Sequence, residues 1–130
     1  DVIRRFFDEG GNKGNLSAID DFVSPNFVNH NPRSDVTSDR DGFKQTWTMF
    51  RSVFPDWHTT VDDAIAEGDK VVVYVTTNGT HRGEFLGVLP TNKHVTFRGI
   101  NIFRIVDEQI VERWGVLDMY GLLDQFGALP

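Results

Sequence analysis

The chain has no cysteine among its 130 residues. It therefore forms no disulfide, carries no thiolate nucleophile and builds no zinc-thiolate site. It also lacks any apolar run near the roughly 20 residues that cross a bilayer, and no basic n-region leads into an apolar stretch. Basic residues are in the minority, 13 against 19 acidic ones, for a net charge of -6. The cations are scattered singly or as the pair Arg4 and Arg5. Nucleic acid and anionic membrane both require a clustered positive field, so neither is an expected partner. A reducing, cytoplasmic setting fits this composition. The chain begins at Asp1 rather than Met, which leaves room for a preceding segment.

What is present is aromatic. Eleven Phe and three Trp, in a chain that is 39% hydrophobic, supply enough large apolar side chains for a core and for the wall of a pocket. A chain this long buries roughly two thirds of its unfolded surface, so residues 1–130 are expected to form a single domain.

The spacing predicts helices first. Val2/Ile3 and Phe6/Phe7 lie one helical turn apart before Gly10, Gly11 and Gly14 stop the pattern. Asn15 is a natural N-cap for a second helix with Leu16, Ile19 and Val23 on one face, ending at Pro25. Residues 26–36 read as an extended piece and a polar loop. Ser38 with Asp41 makes a capping signature ahead of Phe43, Trp47, Phe50 and Phe54, one stripe that Pro55 closes. From Trp57 the period changes to two. Glu67-Gly68-Asp69 turns a first strand into Lys70–Thr80, and the loop His81–His94 leads to Val95–Val106. Asp107-Glu108-Gln109 then turns into Ile110–Leu117, and Asp118 caps a last helix that carries Leu122, Leu123 and Phe126. Helices followed by an antiparallel meander define an α+β class. The sheet face away from the helices is too apolar to stay wet, so a homodimer through the sheets is expected.

Two motif look-alikes fail. Thr37-Ser-Asp39-Arg-Asp41-Gly42 has Thr where a calcium loop needs its first ligand, and Thr48 where it needs a bidentate Glu. The four histidines show no metal-ligand spacing, so no metal is expected.

From Phe54 to Pro130 the chain resembles the SnoaL-like polyketide cyclases and related ester cyclases. The resemblance rests on Phe54-Pro55-Asp56, the hairpin Ala66-Glu67-Gly68-Asp69-Lys70-Val71, Gly79-Thr80-His81-Arg82-Gly83, Phe97-Arg98-Gly99, Ile110-Val111-Glu112-Arg113-Trp114 and Asp118, with a weaker match at Phe27 to Pro32. It implies the nuclear transport factor two-like fold, a curved antiparallel sheet wrapped by N-terminal helices into a cone with an apolar pocket. It also implies an intramolecular aldol closure on a small hydrophobic carbonyl compound, run by one carboxylate as general acid/base without a cofactor. Asp118 matches the Asp that follows the family's Glu-x-Trp strand motif.

Each candidate has a structural alternative beside its functional one. Asp118 is a proton shuttle or only a helix cap, and capping by itself lowers a carboxyl pKa. His81, between two glycines, turns its imidazole to the pocket as a second catalytic group or bonds a loop carbonyl. His30 and His58 bind substrate or occupy loop and strand surface. Arg98, with Glu112 on the next strand, orients a carbonyl or enolate, or the two form a cross-strand surface pair. Asn101 is a pocket donor or an interface residue. Trp114, like Trp57, lines the pocket or packs in the core. An epoxide hydrolase on the same fold would need an Arg and two Asp on one water, and Ile100 and Gly115 stand where further acids would sit. A non-catalytic module that holds a small apolar ligand is the main alternative to an enzyme.

Overall fold

The computed structural model describes residues 2–129. A short helix α1 (Val2–Phe6) passes into a π-helical turn over Phe7–Asn12, and α2 (Ala18–Phe22) follows. β1 (Val23–Asn29) continues directly from α2, and α3 (Arg40–Val53) is the one long helix. Four strands come next: β2 (His58–Glu67), β3 (Lys70–Thr80), β4 (His94–Val106) and β5 (Gln109–Leu117). The chain closes on α4 (Met119–Gln125).

The strands make one curved α+β sheet in the order β1-β5-β4-β3-β2. β2 to β5 run antiparallel, as the alternating pattern predicts. β1 adds a parallel edge beside β5, running through Pro25, where the sequence pattern suggested the tail of a helix and then, from Asn26, a short extended piece. An edge strand tolerates Pro because one row of its N–H groups has no ladder partner. No helix is long and apolar enough to cross a membrane among the described residues.

Helix α3 begins one residue later than the Ser38 signature suggests. Asp39 is the cap, its Oδ1 accepting from the Gly42 N–H at 3.0 Å. The stripe Phe43, Trp47, Phe50 and Val53 is buried against α1, the π-turn and the concave sheet face. The core is largely aromatic, Phe6 stacking on Phe43 at 5.9 Å and Trp47 meeting Trp57 edge-on at 5.4 Å. Such edge-on and offset pairs add to what area burial alone contributes.

Two of the shared motifs are structural staples. Asp56 accepts from both the backbone N–H and the hydroxyl of Thr80, each at 2.7 Å, which ties the Phe-Pro-Asp turn to the end of β3 and holds the Asp56 carboxyl below its ordinary pKa. At Gly79 a Cβ would fall 2.9 Å from the Phe54 Cβ, so the same corner closes only without a side chain there.

Candidate active site

Helices and concave sheet face enclose a partly open cavity of about 280 Å³. Phe6, Phe7, Phe43, Trp47, Phe50, Trp57 and Phe85 form its apolar wall. A tight turn forms part of the rim: Phe85 and Val88 exchange backbone hydrogen bonds, and Leu86 and Gly87 both take positive φ. Phe85 is buried by this turn, whereas Leu86 lines the cavity and stays exposed.

Two polar groups interrupt the apolar wall. Thr59 and Thr77 share a buried hydroxyl hydrogen bond of 2.9 Å across β2 and β3. Deeper along β4 and β5, Arg113 donates through Nε to Asn101 Oδ1 at 2.9 Å and through Nη1 to Asn29 Oδ1 at 3.1 Å. Asn31 closes the edge by accepting from the Gly115 N–H at 2.9 Å. All of these residues line the cavity. Burial pushes the Arg113 pKa down to about 10, because a charged group loses solvation there. Trp57 Nε1 is buried with no hydrogen-bond partner among the described residues.

The ladder explains why Arg113 faces inward. Arg104 pairs with Glu112 but Ile105 pairs with Ile110, so Val111 is an extra residue on β5. Such a bulge reverses the alternation on one side of itself. Ile110 and Arg113 therefore point to the same face although an odd number of positions separates them.

A family model for SnoaL-like polyketide cyclases matches residues 1–126. The chain belongs to that family. It is 25% identical over 118 residues to the nogalonic acid methyl ester cyclase of Streptomyces nogalater, covering 89% of this chain and 88% of that one. TsrD from Streptomyces laurentii superposes with a TM-score of 0.89 at 28% identity, over 98% of this chain and 93% of that one. IdmH from Streptomyces antibioticus, proposed to be a polyketide cyclase, gives 0.86 at 31% identity over 98% and 96%. AclR from Streptomyces galilaeus, proposed to be a hydroxylase, also gives 0.86 at 31%, over 99% and 84%.

In this SnoaL-like chain the residues singled out from sequence do not converge on one place. Asn101 lines the cavity. His30, Glu112 and Trp114 come together on the other side of the sheet: His30 stacks on Trp114 at 4.6 Å, and its Nε2 lies 2.7 Å from Glu112. The partner of Glu112 is Arg104, not Arg98 as expected, because the register sets Arg104 opposite it. Arg98 is exposed, and its carbonyl accepts from the Asp118 N–H at 2.8 Å. His58 is exposed at the start of β2.

His81 is 0% exposed, stacked on Phe126 at 3.9 Å, with Nδ1 accepting from the Thr91 N–H at 3.2 Å. Its Nε2 is buried with no hydrogen-bond partner among the described residues, so the ring is only half satisfied, and it lies in the core rather than on the cavity wall. Burial holds its pKa below 6.5, with a weaker opposing pull from the Gly83 backbone. Asp118 caps α4, its Oδ1 accepting from Gly121 N–H at 2.9 Å. The residue is exposed, and it sits between Leu117 and Met119, both of which line the cavity. Sequence reasoning passed over Arg113 and Asn29. The signal available for Arg113 was its place in the shared Ile-Val-Glu-Arg-Trp motif.

Proposed function

We propose that this chain closes a ring in a small apolar carbonyl compound by aldol chemistry, within the cavity described above. The observation that carries the reading is the joining of an aromatic wall to a polar group where Arg113, Asn101 and Asn29 meet, with Asp118 lying in sequence between the lining residues Leu117 and Met119. In the reaction, the Asp118 carboxylate takes a proton from the carbon beside a carbonyl. Donors of that polar group hold the resulting enolate oxygen, and the carbanionic carbon attacks a second carbonyl of the same molecule. A carbon–carbon bond forms, and the new alkoxide recovers the proton from Asp118. One oxygen of Asp118 is engaged in the helix cap, which leaves Oδ2 for this exchange.

Asp118→Asn is the test, because Asn keeps the cap and removes only the charge. Turnover of a responsive substrate is expected to fall at least ~100-fold with binding retained. Unchanged turnover contradicts the assignment. A second reading, a binding module without catalysis, is favoured by the absence of any carboxylate among the described residues that line the cavity and by the exposure of Asp118. It predicts ligand binding with no chemistry in either protein.

We also propose that a second copy covers the outer sheet face. There Tyr74, Ile100 and Val116 form one exposed cross-strand row. A monomer by sedimentation at micromolar concentration contradicts this.

A further inference from the structure

Arg113 is a cation without a counter-charge. Its two hydrogen-bonded partners, Asn29 and Asn101, are neutral amides, and no carboxylate pairs with it among the described residues. Arg104, one position along from the residue opposite it, is by contrast paired with Glu112 and Asp69. Nη2 of Arg113 has no acceptor among the described residues. It lies over Gly115, where a Cβ would fall 2.4 Å from it and 2.4 Å from Asn101 Oδ1. The absent side chain thus lets the guanidinium settle against the β5 backbone, and Arg113, Asn101 and Gly115 all line the cavity.

A partly desolvated cation without an anionic partner is costly, and neutral amide oxygens offset only part of that cost. A planar group with two oxygens that share one negative charge matches the guanidinium fork and makes the strongest hydrogen bonds open to it. The aromatic wall around it suits a flat body.

We infer that the cavity takes a flat apolar ligand carrying a preformed, delocalised oxyanion, a carboxylate or a β-dicarbonyl enolate, with that group against Arg113. The inference rests on the apolar-carbonyl reading of the same cavity and narrows it from a neutral compound to an anion. The side chain that sets this preference is Arg113, and Gly115 gives it room.

Isothermal titration at pH 7 compares three probes on the full chain: 2-naphthoate, 2-acetyl-1,3-indandione as its enolate, and neutral methyl 2-naphthoate. At least one anion is expected to bind ~10-fold or more tightly than the ester, as a charge-assisted bidentate contact allows. Whichever anion wins names the source of the charge. In Arg113→Gln that preference is expected to disappear while the affinity for the ester stays within ~3-fold. Gly115→Ala keeps the charge but pushes into Nη2, and it too should lose the preference. It carries the comparison if Arg113→Gln fails to fold. An ester that binds as well as both anions overturns the oxyanion inference and leaves the apolar-cavity reading standing. A preference that survives both substitutions overturns the role of Arg113. Failure of all three probes to bind the folded protein overturns this inference and the apolar-cavity reading together.

Discussion

Arg104 and Arg113 sit on adjacent strands of one sheet, within a residue of being directly opposite, yet they meet opposite environments. Arg104 lies on the outer face, where Glu112 first and Asp69 after it raise its already high pKa. Arg113 lies on the inner face among amides and aromatic rings, and burial lowers its pKa to about 10. At ~1.4 kcal/mol for each tenfold change, the fall to about 10 corresponds to a penalty on the order of 3 kcal/mol against the charged form. Arg113 nonetheless stays protonated at neutral pH. The difference between the two arginines comes from strand alternation and the bulge at Val111. It separates a solvated ion-pair network from a recognition group held ready for a ligand.

That contrast yields predictions of decreasing size. Arg113→Gln should lower turnover of a responsive substrate ~100-fold or more, the usual loss for a donor aimed at developing negative charge. Arg104→Gln should change turnover less than ~2-fold, as surface pairs usually do. Stability should separate them in another way. The depressed pKa means that charged Arg113 costs stability at every pH below about 10, so Arg113→Gln should not lower Tm appreciably. A large fall in Tm without loss of activity would instead assign Arg113 to the scaffold. Gly115→Ala comes next, with an expected ~10-fold loss of affinity for the anionic probe and the charge intact.

His81 supplies a smaller effect with a definite sign. Its folded pKa lies below 6.5, so the unfolded chain takes up the proton first and stability is lost as pH falls through that value. The urea midpoint should drop between pH 7 and pH 5, and the drop should be smaller in His81→Gln. Glu112 has the other sign. Hydrogen bonds from His30, and then from Arg104, hold its pKa down, so its contribution is present above 4.5 and lost on further acidification. Glu112→Gln should change Tm barely measurably at pH 7 and leave ligand affinity unaltered.

The sequence carried much of the fold and little of the site. The stripe on α3, the bounds of β3, the turn at Gly68 and the cap at Asp118 were all legible, because each depends on spacing or turn chemistry within a few residues. β1 was legible only as an extended piece from Asn26; its start at Val23 and its place in the sheet were not, since they are set by parallel pairing with distant β5 and its sequence contains Pro25. The inward face of β5 was misjudged for a physical reason. Counting alternate residues from buried Ile110 puts Glu112 and Trp114 inside, whereas the extra residue Val111 turns them outward and brings Arg113 in. A bulge depends on the partner strand, and no local pattern announces it. His30, Glu112 and Trp114, each a candidate for substrate contact, thus meet one another across the sheet from the cavity.

The account stands on Arg113, rather than Arg104, meeting the ligand. The Nε–H resonances of the two arginines in a 15N-labelled sample, followed as 2-naphthoate is added, test this most directly. The Arg113 signal is expected to shift and saturate with the binding isotherm while that of Arg104 stays in place. A shift confined to Arg104, or saturation of binding with Arg113 unmoved, would contradict it.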